Sequence, residues 1–441
     1  MTKIIPFRGL RYNPEEAAAM HSLVAPPYDV IDKQAQRLLY AKSPYNVIRL
    51  EYGETRPGDD TAVNRYTRAA TLFHRWLAEN ILTREAGPTL YFYEQEFSSQ
   101  EQRHTRCGLI AGVGLEDYAT GMILPHEETL AKAKTDRLEL LRATGANFSP
   151  IFGLYDDPTG TVEKVAARYK HQAPQLDFTD DSGEVHRLWI VGDDNDLAAL
   201  RHFFLDQKIY IADGHHRYET ALHFHQEMLA CGQNSFAFVL MTLVNLHDPG
   251  LVVLPTHRLV KDVAAFDRQD LLGQLSLIFQ VTPLALTALH GTEAVVSELQ
   301  KMQDARATAH TFALYLGDGN LYLLSLSRDL AAGEMSSRAS SFSVAWRSLD
   351  VAVLQCLVLE GVLGIGSEAR RSGQNLSYTR SEAEALSLVD SGTYQAAFFL
   401  SPTLVGEVTA VASVGDKMPQ KSTYFYPKLL TGLVINDFVV Q

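Results

Sequence analysis

Cysteine is scarce in this chain of 441 residues, which has only Cys107, Cys231 and Cys356. The three lie far apart, whereas the cysteines of a zinc site recur in pairs about two to four residues apart. Their spacing therefore excludes a zinc site of that type. We expect three reduced, buried side chains of apolar character, as cytosolic proteins commonly carry.

The sequence also lacks long apolar runs and an excess of basic residues. No apolar run is long enough to cross a bilayer, and Met1–Arg8 lacks the apolar core of a signal peptide. Lysine and arginine total 39 against 52 aspartates and glutamates, a net charge of −13. That balance argues against nucleic acid or a membrane as a partner. We expect a cytoplasmic protein, and the sequence leaves its oligomeric state open.

What the sequence does contain is typical of a large globular protein. Hydrophobic residues make up 46% and charged residues 21%, and a chain of this length can bury a large core. Predicted strands and helices alternate, so the expected fold class is α+β (mixed α/β). The predicted strands include Lys3–Phe7, the end of Ser43–Leu50, Leu90–Phe97, Arg106–Leu115, Ile151–Tyr155, His186–Val191 and Phe236–Val244, and the predicted helices include Asp59–Leu82, Thr135–Thr144 and Leu349–Leu359.

The most informative stretch, Lys208–Leu222, predicts a strand, a tight polar turn and a helix. Its first part, Ile209–Ile211, is β-branched and aromatic, as in a buried strand. Asp213 and Gly214 end the strand, and glycine supplies a backbone freedom that other residues lack. From Tyr218 onward the apolar residues follow helical spacing.

The turn itself, Asp213–Arg217, combines groups that suit a phosphate site. Backbone N–H groups at a helix N-terminus bind phosphate readily, and Arg217 can pair with phosphate oxygens. Asp213 can hold a divalent cation, and His215 or His216 can move protons. An ordinary capped turn explains the Asp-Gly pair about as well. The two histidines and the arginine favour the phosphate site.

Two further polar segments contain candidate ligands for an anion. The basic residues that follow the acidic pair Glu127-Glu128 include Lys132 and Arg137, and they either neutralise a phosphate or form a solvated helix face. The second segment, Gly415–Lys428, is rich in lysines, hydroxyls and tyrosines. It is either a loop folded over an anionic site or a plain surface loop.

Four blocks of sequence resemble a family known only as domain of unknown function 1015. They are Ala25–Ile31, Leu124–Glu127, Ala212–Tyr218 and Met418–Tyr424. The resemblance covers nearly the whole chain, and four blocks in the same order make it specific. The family's name implies no activity.

A weaker resemblance joins Pro125-His126-Glu127 and Asp213–Arg217 to the ParB/sulfiredoxin-like fold, in particular to its free-serine kinases. The resemblance implies that Glu127 is the catalytic base. It also implies that Asp213 manages a magnesium ion or the transferred phosphoryl group, with Gly214, His215, His216 and Arg217 holding the phosphates. Eighty-six positions separate Glu127 from Asp213, a large insertion for that fold. The likeness covers well under half of the chain.

These observations predict a phosphotransferase dependent on metal and nucleotide, acting on a small hydroxylated metabolite, with free serine as the first candidate. Its expected cofactors are Mg²⁺ and ATP or ADP. The expected catalytic residues are Glu127, Asp213 and His216, and Asp213 is the expected metal ligand. The expected substrate or phosphate ligands, besides the turn, are His126, Lys132, Arg137, Lys417 and Lys421.

Other functions stay open at this point. With water in place of the alcohol, the same residues describe a phosphatase for phosphoserine or a similar monoester. A ParB-like nucleotide-binding switch is a third hypothesis, and a hydrolase with a metal on Asp213, His215 and His216 is a fourth. The expected organisation is an N-terminal α/β segment at 1–119, a ParB/serine-kinase-like core at 120–262 and a C-terminal α/β segment at 263–441.

Overall fold

The computed structural model describes residues 1–99, 102–129, 131–234, 236–286 and 291–438, with the backbone alone for 131, 132, 371 and 372. These residues form two compact units. The first unit consists of Met1–Pro125, Thr129–Val252 and Pro427–Gln441, and the second of His126–Glu128 and Val253–Tyr426. The expected segments at 1–119, 120–262 and 263–441 stay a prediction.

Helices and strands are mixed along the whole chain, which confirms the expected class. The strands are β1 (Ile4–Ile5), β2 (Leu10–Tyr12), β3 (Leu82–Arg84), β4 (Leu90–Ser99), β5 (Gln102–Gly114), β6 (Ile123–Leu124), β7 (Ala146–Asn147), β8 (Ile151–Tyr155), β9 (Leu176–Thr179), β10 (Val185–Val191), β11 (Ile209–Asp213), β12 (Phe238–Asn245), β13 (Val252–Leu254), β14 (His257–Val260), β15 (Gln280–Ala285), β16 (Ala309–Tyr315), β17 (Asn320–Ser327), β18 (Leu376–Thr379), β19 (Ala396–Phe399), β20 (Tyr424–Tyr426) and β21 (Asn436–Asp437).

The helices differ widely in length. They are α1 (Pro14–Ala17), α2 (Met20–Leu23), α3 (Lys33–Lys42), α4 (Ile48–Glu51), α5 (Arg65–Ala78), α6 (Ala131–Thr144), α7 (Thr161–Lys170), α8 (Asp194–Phe204), α9 (His215–Ala230), α10 (Arg268–Ser276), α11 (Gly291–Ala305), α12 (Arg328–Arg338), α13 (Val344–Arg347), α14 (Asp350–Val353), α15 (Ser367–Ser372), α16 (Glu382–Asp390) and α17 (Val405–Ser413), and a π-helical stretch, Leu354–Glu360, follows α14. Among the described residues, no helix has the length and apolar character needed to cross a membrane.

The first unit is built on a mixed sheet with the strand order β6-β11-β8-β12-β5-β4-β10-β9, to which β1 adds beside β5. Its central strands are apolar on both faces, since every residue of β8 is buried. The apolar sides of α7, α8 and α9 pack onto this core, which includes Val165, Phe204 and Tyr218. Burial on both faces explains why these strands read as continuous apolar runs in the sequence.

The second unit contains a sheet with the strand order β15-β17-β16-β19-β14-β18. The neighbouring strands in this sheet pair in antiparallel fashion. Its core includes Leu299 of α11, Leu386 and Val389 of α16, and Phe399 of β19. Helices α11 and α16 therefore supply the apolar side chains that cover this sheet.

The strand predicted at the end of Ser43–Leu50 is wrong, because this segment forms the short helix α4. Asn46 lies just before this helix, where its side chain accepts a hydrogen bond from the backbone N–H of Ile48 at 2.9 Å and donates to the carbonyls of Ser22 and Val24. Val47 and Ile48 are fully buried. A short apolar run buried on all sides is read equally well as strand or helix from its pattern.

Candidate functional site

The predicted strand, turn and helix at 209–230 are present in the first unit as β11, Gly214 and α9. Strand β11 pairs in parallel with β6 and antiparallel with β8, and its register shifts between Ile211 and Asp213. Gly214 has φ +93°, and a Cβ there would lie 3.0 Å from the guanidinium nitrogens of Arg217. Both facts restrict this position to glycine.

Asp213 lies at the centre of the turn and is paired with two cations. Its Oδ1 accepts a hydrogen bond from Lys428 Nζ at 2.5 Å, and its Oδ2 accepts one from Arg217 Nη2 at 2.6 Å. Burial alone would raise the pKa of Asp213, but the charges of Lys428, Arg217 and His215 hold that pKa well below its usual range. Asp213 is therefore an anion held by two cations at neutral pH.

This arrangement bears on the predicted magnesium ligand. Both carboxylate oxygens of Asp213 already accept from cationic groups. The positive charges of Lys428 and Arg217 would repel a Mg²⁺ ion that bound to Asp213. The two neighbouring cations therefore disfavour a magnesium ion on Asp213, and its role as a metal ligand stays a prediction.

Arg217 is fixed on two sides and keeps one unused donor. Its Nη2 pairs with Asp213 and its Nη1 donates to the carbonyl of Pro150. Its Nε is buried and has no hydrogen-bond partner. A guanidinium held in this way is pre-positioned to donate to an incoming oxygen, because its orientation is already set.

Arg137, a predicted phosphate ligand, is buried and engaged with protein groups. Its Nη1 lies 3.1 Å from Glu51 Oε1, its Nε donates to Asp136, and its guanidinium stacks 4.0 Å above the ring of Tyr28. Glu51 Oε1 also accepts from Ser149 Oγ at 2.8 Å. A phosphate at Arg137 would have to compete with the carboxylates of Glu51 and Asp136. The role predicted for Arg137 as a phosphate ligand stays a prediction.

Tyr28, in the block Ala25–Ile31, interacts electrostatically with Arg217 of the turn inside the first unit. Burial, opposed by the charge of Arg137, raises the pKa of Tyr28 to about 12, and Arg217 is close enough to lower it slightly. Arg217 and Arg137 also line the same small cavity of about 40 Å³. That volume holds about one water molecule and no larger ligand.

The two histidines of the turn occupy different environments. His215 is the first residue of α9 and is 4% exposed, and its charge contributes to the lowered pKa of Asp213. His216 is half-buried. His215 therefore faces the turn, and the proton-carrying role predicted for His216 stays a prediction.

The segment His126–Glu128 belongs to the second unit, where it meets the block Met418–Tyr424. His126 is buried, its Nε2 lies 3.0 Å from Thr423 Oγ1, and its carbonyl accepts from the N–H of Met418. Glu127 Oε1 accepts a hydrogen bond from the backbone N–H of Lys421 at 3.2 Å. Two of the four sequence blocks are thus joined by hydrogen bonds.

The predicted lysines differ in what the structure places around them. Lys417 lines a cavity of about 190 Å³ in the second unit, together with Glu128 and Trp346, on whose indole Phe342 stacks at 4.0 Å. Lys421 has φ +56°, an uncommon backbone conformation for a residue with a side chain. The backbone of Lys132 lies in α6, and its side chain lies outside the described residues.

Lys428 was not predicted as a site residue, although it lies in the lysine-rich segment Gly415–Lys428. Its partner Asp213 lies 215 positions away in the chain, so no local pattern relates the two residues. Glu51 and Ser149 were also missed, because nothing in their local pattern marks them. Glu127 and Asp213 lie in different units.

A family model described as protein of unknown function (DUF1015) matches residues 4–352. This range contains the first three of the four blocks and confirms the resemblance to that family, whereas Met418–Tyr424 lies outside it. None of the curated proteins matches the sequence.

Similar solved structures include a conserved hypothetical protein from Pyrococcus furiosus, with 14% identity and a TM-score of 0.33 over 74% of this chain and 95% of that chain. A free serine kinase in complex with AMP has 13% identity and a TM-score of 0.34, over 74% and 92% of the two chains. SbnI with a C-terminal truncation, from Staphylococcus aureus, has 12% identity and a TM-score of 0.33, over 73% and 85%. TM-scores this low carry no argument about activity, and the ParB/serine-kinase-like core stays a prediction.

Proposed function

Since the chain belongs to the DUF1015 family, whose description states no activity, we propose a function from the chemistry of the site. The protein is a nucleotide-dependent phosphotransferase that phosphorylates a small hydroxylated metabolite, with free serine as the first candidate. The nucleotide is ATP or ADP, as the motif resemblance implies. The observation that carries the proposal is the turn Asp213–Arg217 with its two cations.

The turn has the charge that a phosphate chain requires. Lys428 and Arg217 bring two positive charges against the single negative charge of Asp213. The turn opens α9, whose sixteen residues place the positive end of a helix dipole at His215. In this proposal the phosphate oxygens accept from the backbone N–H groups of the turn. Asp213 serves to hold both cations in position.

Transfer of the phosphoryl group asks mainly for positioning and charge neutralisation. The substrate hydroxyl attacks the terminal phosphorus, the bond to the bridging oxygen breaks, and the shorter nucleotide leaves with that oxygen's charge. A general base takes the hydroxyl proton, a role that the motif resemblance implies for Glu127. Lys428 and Arg217 stabilise the charge that develops on the phosphate oxygens.

Nucleotide binding is tested first, by calorimetry and thermal shift with ATP and ADP on the wild type and Lys428→Met. Losing one charge-assisted hydrogen bond costs about 1.5–3 kcal/mol, so we expect binding to weaken roughly 10- to 100-fold. Lys170→Met is the matched control, since Lys170 pairs with Glu94 at 2.6 Å in the same unit. Equal nucleotide affinity in wild type and Lys428→Met would contradict the proposed site.

Turnover is tested with serine and ATP, or serine and ADP, by following phosphoserine. Glu127→Gln is expected to retain nucleotide binding and lose turnover, because a glutamine cannot accept the hydroxyl proton. Glu334→Gln is the control, an exposed glutamate paired with Arg338 in the second unit. Release of phosphate from phosphoserine without nucleotide would instead assign the site to hydrolysis.

A further inference from the structure

The hairpin of β9 and β10, at the edge of the first unit's sheet, brings together three side chains suited to a metal ion. Asp180 and Glu184 lie in the turn and His186 in β10. Each offers one ligand atom, and these atoms all lie within 4.8 Å of one another. None of the three belongs to the phosphate turn or to the segment His126–Glu128.

His186 is fixed in one orientation by aromatic neighbours. It is fully buried, and its ring stacks on those of Tyr93 at 6.0 Å and Phe178 at 5.0 Å. Its Nδ1 lies 2.8 Å from the hydroxyl of Tyr93, whereas its buried Nε2 faces the carboxylate of Asp180 without the alignment of a good hydrogen bond. A histidine whose second nitrogen is held by a protein oxygen is the usual arrangement of a metal ligand.

The distance between two of the ligand atoms matches tetrahedral coordination. His186 Nε2 lies 3.3 Å from Asp180 Oδ2. Bonds of about 2.0–2.1 Å to a tetrahedral zinc ion place neighbouring ligand atoms roughly 3.3–3.4 Å apart. A direct hydrogen bond between the same atoms would favour about 2.7–2.9 Å if the pair were charged.

The turn also orients Asp180. Its Oδ1 accepts from the backbone N–H groups of Ser182 at 2.9 Å and Glu184 at 3.0 Å, which leaves Oδ2 directed at His186. Glu184 is 9% exposed and interacts electrostatically with the buried guanidinium of Arg106. The carboxylate of Glu184 would therefore interact with both the metal ion and Arg106. This is possible because a carboxylate has about four lone-pair sites.

We propose that Asp180, Glu184 and His186 form a binding site for one divalent transition-metal ion of the zinc type. Two carboxylates and one neutral imidazole supply a charge of −2, which balances the ion. The fourth tetrahedral position is left to water. The ion links the turn to β10 and so stabilises the pairing of the short strand β9 with β10 at the edge of the sheet.

The test measures Zn²⁺ and Co²⁺ binding to the full chain after chelation, without nucleotide, so its result is independent of the phosphotransferase proposal. Calorimetry gives the stoichiometry, and Co²⁺ gives the absorption bands of tetrahedral coordination. We expect one ion per chain. Asp180→Asn keeps the oxygen that accepts from the turn's N–H groups and removes the charge, so it is expected to bind more than about tenfold more weakly.

Two more variants separate a metal site from a structural hydrogen bond. Tyr93→Phe removes the hydroxyl beside Nδ1 and is expected to weaken binding roughly 10- to 100-fold with the ligands untouched. Asp181→Asn is the matched control, because Asp181 stands in the same turn and pairs with Lys42. The proposal is overturned if the wild type binds neither ion at micromolar concentration, or if Asp180→Asn binds as tightly as Asp181→Asn.

Discussion

The carboxylate of Asp213 shows how a residue's role depends on partners far away in sequence. Lys428 and Arg217 hold it from two sides, and all three side chains are at most 13% exposed. Such a group contributes to stability and to the proposed phosphate site at once. Asp213 and Arg217 were predictable from their turn, but Lys428 was not, because pairing across the chain leaves no local pattern.

A double-mutant cycle of Asp213→Asn and Lys428→Met measures this pairing. Removing Asp213's charge leaves two buried cations uncompensated, so we expect Asp213→Asn to lower the free energy of unfolding by about 3–5 kcal/mol. The double variant is expected to be less destabilised than the sum of the single variants, by roughly 1–3 kcal/mol. Urea unfolding gives these values. Strict additivity would show that the two side chains do not interact.

At the scale of elements, strand β11 and helix α9 were predictable because their periodicity and their glycine agree. The strand expected at the end of Ser43–Leu50 failed because burial on every side removes the periodicity that separates strand from helix. Helix α9 is framed by two glycines with positive φ, Gly214 before it and Gly232 after it. A Cβ added at Gly214 would contact Arg217, whereas a Cβ added at Gly232 would contact nothing.

Alanine at each glycine separates backbone strain from damage to the turn. At Gly232, φ is +77° and nothing lies near the added Cβ, so we expect a loss of about 1–2 kcal/mol with nucleotide binding unchanged. At Gly214 the Cβ also meets Arg217, which Asp213 and Pro150 hold in place. Gly214→Ala should therefore lose more stability and also weaken nucleotide binding. Equal losses at both positions in calorimetry and thermal unfolding would contradict the described turn.

At the scale of the molecule, the two units differ in how their carboxyl groups are paired. In the first unit, hydrogen bonds and neighbouring cations outweigh burial and lower the pKa of Asp136, Asp157, Asp180 and Asp213, whereas burial raises that of Asp248. In the second unit, burial raises the pKa of Glu407 and the hydrogen bond from His257 outweighs burial to lower that of Glu382.

These shifts predict that acid destabilises the first unit before the second. A carboxyl group whose folded pKa is lowered stabilises the fold above its unfolded pKa of about 4, and this contribution is lost as the pH falls towards the folded value. A raised pKa, as in Glu407, has the opposite sign, since protonation relieves its burial. Peptide-resolved hydrogen exchange at pH 7 and about pH 3.5 is expected to show earlier loss of protection in the first unit. Simultaneous loss in both units would contradict this prediction.

The division of the chain has a consequence for its synthesis. The first unit is completed by residues that follow the second unit in sequence: the carbonyl of Pro427 accepts from Arg106, Lys428 pairs with Asp213, and β21 pairs with β7. A ribosome must therefore translate the whole second unit before the first can close. Until then Asp213 lacks one of its two cations and the first unit stays incomplete. The sheet of the second unit can form earlier.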